Sequence, residues 1–279
     1  MCLYTKYIEN PRYKPSKKNN WNPPKCTDLR LKYVPVKCGR CIECRQQEQR
    51  QWIVRLSEEI RNNKGLFVTL TINNDNMRNL REKEMNENDI CTKAMRLFLE
   101  RIRKETSKSI RHWAITELGE QKGRIHLHGI FFCNEDIIRR KWQYGHVFIG
   151  QFVNEKTIFY ITKYMLKQNP YDPNFKGKIL CSKGIGAGYT SRWDASRNKY
   201  KGENTDESYK LRNGRKIALP NYYRLKIYNE QEREKLWIIK QERGYRYIMG
   251  EKIDINDVTE YKKALEYYQR KGIECFNVS

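Results

Sequence analysis

The chain lacks any apolar run near the roughly 20 residues that a membrane-spanning helix needs, so a membrane partner is not expected. Its opening, MCLYTKYIENPRYKPSKKNN, lacks the apolar region of a secretory signal, so export is not expected either. Acidic residues are few beside basic ones, 33 against 56, which leaves a formal charge of +23 over 279 residues. A balance that basic points to a polyanion, and with membranes disfavoured the polyanion is nucleic acid. Hydrophobic residues make up 38%, below the usual globular level, which implies a modest core with long polar excursions. The nine cysteines are an odd number, with Cys2, Cys26, Cys38, Cys41 and Cys44 crowded near the start. Without a signal segment they read as metal ligands or free thiols in a reducing cytoplasm, not disulfides. No fixed-period repeat is present. The glycine-rich SKGIGAGY (182–189) lacks the GK[ST] ending of a nucleotide-binding loop.

Residues 1–37, rich in Pro, Lys and Asn, read as an extended arm. A helix over 43–62 carries Trp52, Val54, Leu56 and Ile60. A β-branched strand, LFVTLTIN, spans 66–73, and 74–88 reads as a polar loop. A helix over 88–105 has Ala94, Leu97, Leu99 and Ile102 among its apolar positions. Strands over 111–118 and 124–133, joined by GEQKG, form a hairpin. A short basic helix over 136–141, a strand around 146–153 and a helix over 155–168 follow, and Asn169-Pro170 ends the last. This order predicts an α+β fold with a mainly antiparallel central sheet flanked by helices. The chain then divides into a Cys-rich arm (1–45), a catalytic-type domain (46–170) and a basic, aromatic-rich C-terminal extension (171–279).

Two constellations carry chemistry. His126 and His128, in GRIHLHGIFF, alternate on one face of a strand about 6–7 Å apart, a spacing that suits two imidazoles on one metal ion. Arg124 lies on their side, while Leu127 and Phe131 face the other way, toward a helix. Glu117 is the natural third ligand, because a carboxylate with two histidines leaves positions open for substrate. An even-numbered turn brings it opposite His126, and an odd one turns it away, with Glu120 as the fallback. The second constellation is FYITKYMLK. At about 100° per residue Tyr160, Lys163, Tyr164 and Lys167 share one face, with Ile158, Ile161 and Met165 opposite. Tyrosines one turn apart are two potential nucleophiles, and the lysines lower the cost of a phenolate and hold phosphates. Taken singly, either motif also fits an ordinary polar pair or an exposed helical face.

Cys38-x2-Cys41-x2-Cys44 supplies three thiolates in seven residues, one short of a structural zinc site. Cys2 or Cys26 could be the fourth. An iron–sulfur cluster or free thiols are the other readings.

The order of a FVTLTIN strand, a His-hydrophobic-His strand and a Tyr-x2-Lys-Tyr helix resembles the HUH endonuclease superfamily, whose fold is RRM-like. The likeness is stronger still to replication initiators of microvirus-type single-stranded DNA phages, gokushovirus branch. MCLY, VPVKCGRCIECR, the helix with Trp52 and Arg55, ELGEQKGRIHLHG and YITKYMLK carry the resemblance, which covers about the first 170 residues; LPNYYRLKIY (219–228) adds to it. It implies that His126, His128 and Glu117 hold Mg²⁺ or Mn²⁺, that Tyr160 and Tyr164 are the two nucleophiles with Lys163 between them, and that Cys2 completes the zinc site. Ile125 stands where relatives often have proline. The implied reaction nicks single-stranded origin DNA, keeps the 5′ end on tyrosine, leaves a 3′-OH for a host polymerase, and later rejoins the strand. It would run in the cytoplasm of a bacterial host, with Arg124 and Lys167 as further DNA contacts. Residues 190–279 interleave Lys and Arg with Tyr. That suits a single-strand groove or contact with a host helicase, and equally a solvated helical face. A plasmid relaxase is disfavoured, since a third histidine and a tyrosine near the N-terminus are both lacking. The reading from another class is a non-catalytic, zinc-stabilised nucleic-acid-binding protein.

Overall fold

The computed structural model of the chain describes residues 2–119, 123–150, 152–167, 169–170, 172 and 174–277. They form two compact units. One joins the residues up to Glu48 with those from Arg192 onward, and the other is Gln49–Ser191.

The first unit opens with β1 (Lys6–Glu9), paired antiparallel with β2 (Tyr33–Val36). Between them lie 3-10 turns at Pro11–Tyr13, Lys17–Asn19 and Leu29–Leu31. The stretch read as an extended arm is therefore a folded ribbon. Its order comes from side-chain caps that leave no periodicity in the sequence: Asn10 and Asp28 accept the backbone N–H groups of Arg12 and Arg30. Helix α1 (Ile42–Asn62) begins in this unit and continues into the second.

The second unit contains β3 (Leu66–Thr71), α2 (Asn74–Leu80), α3 (Glu87–Thr106), β4 (Arg111–Leu118), β5 (Ile125–Phe132), α4 (Glu135–Lys141), β6 (Val147–Gly150), α5 (Glu155–Thr162) and β7 (Ile179–Cys181). Its five strands lie in the order β6-β3-β5-β4-β7, and every neighbouring pair is antiparallel. The expected α+β architecture is present. Two local expectations are corrected. The stretch 74–88 holds α2, nucleated where Asn73 accepts the Asn76 N–H at 2.8 Å; with Leu80 its buried residue, it shows no apolar stripe. Beyond Pro170, β7 adds a strand too short to announce itself in the sequence.

Alternation along the strands divides the sheet. One face presents Val68, Leu70, Ala114, Leu127 and Phe131 to Ile90, Ala94, Phe98 and Ile102 of α3. Phe98 meets Phe131 and Trp142 edge-on, with centroids 6.0 and 5.4 Å apart. Leu127 and Phe131 thus face a helix, as the alternation predicts. Gly129 sits in this core because a Cβ there would lie 2.5 Å from the Trp113 carbonyl. The other face carries Phe67, Thr69, Thr71, Trp113, Glu117, His126 and His128. Trp52 of α1 covers its Trp113 end, with rings 5.7 Å apart, and the segment after α5 covers its Glu117 end.

From Arg192 the first unit resumes with the β8 (Ser208–Lys210) and β9 (Lys216–Ala218) hairpin, α6 (Asn221–Ile227), α7 (Glu230–Glu242), the β10 (Tyr245–Ile248) and β11 (Glu251–Asp254) hairpin, and α8 (Val258–Asn277). Where the sequence suggests a separate arm and a separate C-terminal extension, the two form one body. Leu3, Cys2, Cys41 and Cys44 pack with Ile248 and Ile253, and the Gln269 amide donates to the Leu3 carbonyl at 2.7 Å. Tyr209, Tyr223 and Tyr228 are buried, so part of the basic, aromatic remainder packs its tyrosines inside. Among the described residues no helix is long and apolar enough to cross a membrane.

Candidate active site and candidate zinc centre

The hairpin register puts Glu117 directly opposite His126, which is the even-turn arrangement. The Gly119 N–H closes the turn onto the Arg124 carbonyl at 2.7 Å. The fallback Glu120 lies outside the described residues. The His126 and His128 rings are 6.1 Å apart and nearly parallel. Nε2 of His128 lies 3.0 Å from Oε2 of Glu117, and its Nδ1 lies 3.0 Å from the Thr69 hydroxyl. Lys167 pairs with the other oxygen of Glu117.

These neighbours set the charges. Burial raises the Glu117 carboxyl pKa, but the His128 and Lys167 hydrogen bonds outweigh it, so the group stays below the usual glutamate value and ionised. Burial pushes His126 below the usual imidazole value, and the Glu117 charge offsets only part of this. A neutral imidazole is the form that binds metal. Nδ1 of His126 is buried and makes no hydrogen bond. Two neutral imidazoles and a carboxylate fit a divalent ion with mixed N and O preference, Mn²⁺ more readily than Mg²⁺. The Thr69 contact would fix the His128 ring from behind.

The tyrosines arrive on α5, whose start is a capping box: Asn154 accepts the Thr157 N–H at 3.0 Å and Thr157 reciprocates. Ile158, Ile161 and Met165 are buried, as the helical period predicts. The helix, however, ends at Thr162 and tightens into a 3-10 turn over Lys163–Met165. The two tyrosines therefore do not share one exposed face. Tyr160 is 44% exposed, whereas Tyr164 is 8% exposed. Tyr164 stacks flat on His128, with centroids 4.2 Å apart, and donates its O–H to the Tyr160 oxygen at 2.8 Å. The Lys163 ammonium sits 4.4 Å from the centre of the Tyr160 ring. Asn169 is buried and donates to the Leu118 carbonyl at 2.7 Å, which ties the end of this segment to the end of β4.

Six of the residues singled out from sequence thus converge: Glu117, His126, His128, Tyr160, Tyr164 and Lys163, with Lys167 held at Glu117. Arg124 is exposed at the hairpin end. Sequence reasoning missed Thr69, legible in the alternation of FVTLTIN, and Asn169, read only as a helix breaker.

In the first unit, the sulfurs of Cys2, Cys38, Cys41 and Cys44 all lie within 4.8 Å of one another. Among the described residues this is the one group of potential ligands so tightly drawn together. Sulfur separations of 3.9 and 4.0 Å are those of free thiols, not a disulfide. Backbone N–H groups of Cys38 and Tyr4 point at the Cys2 sulfur, and that of Cys41 at the Cys38 sulfur. Burial pushes the Cys38 thiol up, but the Cys41 and Arg40 amides outweigh it and bring it down to about 7. Four converging thiols, three of them buried, can hold a structural Zn²⁺. The fourth ligand is Cys2; Cys26 lies elsewhere, with its thiol donating to the Asp28 carbonyl.

Residues 65–169 match a family of replication-associated proteins, described by its ORF2 members. The chain is also similar to the replication-associated protein ORF4 of Chlamydia phage 1, 24% identical over 162 residues. That alignment takes in 48% of this chain and 38% of the phage protein, so the chain spans well under two thirds of its relative. No solved structure matches.

Proposed function

We propose that the protein acts in DNA replication as a nicking and rejoining enzyme of the HUH type, and that its reaction begins at Tyr160. One observation carries the reading: the exposed Tyr160 hydroxyl is linked through Tyr164 to His128 and so to Glu117, on a sheet face also bearing His126. The match over residues 65–169 covers these same residues and supports the replication role. The finer assignment, to an initiator of a microvirus-like phage acting in a bacterial cytoplasm with a host polymerase and helicase, rests on the sequence resemblance, as does an endonuclease domain over 46–170.

The Tyr160 oxygen attacks the scissile phosphorus. A new P–O bond to tyrosine forms, the P–O3′ bond breaks, and the departing 3′ oxygen takes up a proton as the tyrosine gives one up. One ester replaces another, so no nucleotide cofactor is consumed and the strand can be rejoined. The Tyr164 hydroxyl donates to the Tyr160 oxygen and stabilises negative charge there. Lys163, over the Tyr160 ring, favours the phenolate and meets the phosphate. His126, His128 and Glu117 would hold Mn²⁺ or Mg²⁺, which supplies charge neutralisation at the phosphate. Tyr164, pressed against His128, is the second nucleophile, used when the joined end is released.

A denaturing gel tests this directly. Labelled single-stranded DNA from the source genome, incubated with the protein and Mn²⁺, gives a band at protein plus DNA that EDTA removes and that Y160F/Y164F does not form. An adduct that persists in the double variant overturns the tyrosine mechanism. Salt-sensitive binding with no adduct on any segment moves the reading to a non-catalytic binder.

A further inference from the structure

Three large aromatic side chains near Tyr160 stand in solvent without a core to join: Phe148 (54% exposed), Phe152 (78%) and Phe159 (48%). Phe148 lies on β6, the edge strand, opposite Thr69 and so on the histidine face. Its ring meets Phe67 at 6.3 Å, and Phe67 meets Tyr160 at 5.8 Å, both edge-on. The half-buried Phe67 therefore holds Phe148 and the nucleophile on either side of it. Gly150, opposite Phe67, keeps this spot open, since a Cβ there would lie 3.2 Å from the Phe67 ring. Phe152 follows on the same strand parity. Its carbonyl accepts the Thr157 hydroxyl, which pins it beside the start of α5. Phe159 stands next to Tyr160 on that helix.

We propose that Phe148, Phe152 and Phe159 form a base-stacking track that holds unpaired nucleotides beside the scissile phosphate. The inference deepens the nicking reading and rests on it for its position next to Tyr160. A protein partner would use the same apolar area, but charge favours DNA. The exposed Lys156 and Lys163 stand among the rings, in a chain of net charge +23. Cations for phosphates interleaved with rings for bases is the layout that binds single strands without reading sequence. A duplex keeps its base faces stacked internally, so the track would select unpaired DNA.

The test separates stacking from chemistry by using the non-cleaving Y160F/Y164F protein. Anisotropy with a labelled oligonucleotide compares it with the same protein carrying F148A/F152A, single-stranded against duplex. We expect at least about tenfold weaker single-strand binding and a much smaller change for duplex. F148W should retain affinity if the ring stacks and the strand is intact. Abasic substitutions scanned along the oligonucleotide should weaken the parent at one or two positions and leave F148A/F152A unaffected there. Equal affinity of the two proteins overturns the track, as does an affinity loss indifferent to abasic sites. Neither result bears on the adduct gel, so the track and the nickase can fail separately.

Discussion

At the residue scale the decisive asymmetry is between the two tyrosines. Tyr160 is open to solvent and Tyr164 lies under it, stacked on His128. Y160F should therefore abolish the first covalent adduct, while Y164F should slow it by about tenfold through loss of one hydrogen bond to the phenolate; single-turnover adduct formation on a denaturing gel checks both. An adduct rate that falls equally in the two variants would remove the assignment of Tyr160 as first to strike. H128A should cost Mn²⁺ affinity by about 10- to 100-fold or more, read as a rise in the Mn²⁺ concentration needed for adduct. T69V should show a smaller rise, because it unfixes the ring without removing a ligand. The His-x-His spacing, Glu117 and both tyrosines were legible because period-two and period-3.6 patterns place side chains directly. The burial of Tyr164 was not. It depends on the helix tightening at Lys163 and on the His128 ring waiting opposite, and a helical projection contains neither.

At the element scale α1 and the glycine-rich loop explain each other. Glu59 of α1 is buried and takes two hydrogen bonds from Arg111 at 2.6 and 2.7 Å and one from the Gly186 N–H at 2.7 Å. Arg55 donates to the Ile185 carbonyl at 3.0 Å. SKGIGAGY is thus a strap fastening α1 to β4, and its resemblance to a phosphate loop is superficial. Gly186 has φ +71, and a Cβ there would run into the Arg55 backbone. G186A should destabilise the protein by about 1–2 kcal/mol or more, read from urea unfolding. Burial raises the Glu59 carboxyl, but Arg111, Gly186 and Asn63 together bring it below the usual value. Its stabilisation is complete above the ordinary glutamate pKa of about 4.3 and fades as pH falls through its own lower value. E59Q should cost about 2 kcal/mol at pH 7 and flatten the acid side of the stability profile. A profile unchanged from the parent would show that Glu59 does not drive the acid loss. The strands and long helices were legible from periodicity. The strap was not, because its partners, Arg55, Glu59 and Arg111, lie far off in sequence.

At the scale of the whole molecule the chain is basic and carries two candidate metal centres of different kinds. Zinc analysis of protein purified without chelator should find about one Zn²⁺ per chain, and C41S should lose it and lower the melting temperature. Retention of zinc by C41S would mean that the four thiols are not its ligands. The cysteine spacing made three ligands legible, whereas the choice of Cys2 over Cys26 required the fold. The division into units was least legible of all, because β1, β2 and the thiol cluster close against residues that follow Arg192. That closure has a consequence for synthesis on the ribosome. The thiols emerge early, but Ile248 and Ile253, which complete their surroundings, emerge only after Gln49–Ser191 has been made. The nascent chain must therefore carry an unfinished, cysteine-rich beginning while its middle folds, and metal captured by those thiols would guard them from oxidation until the last helix arrives.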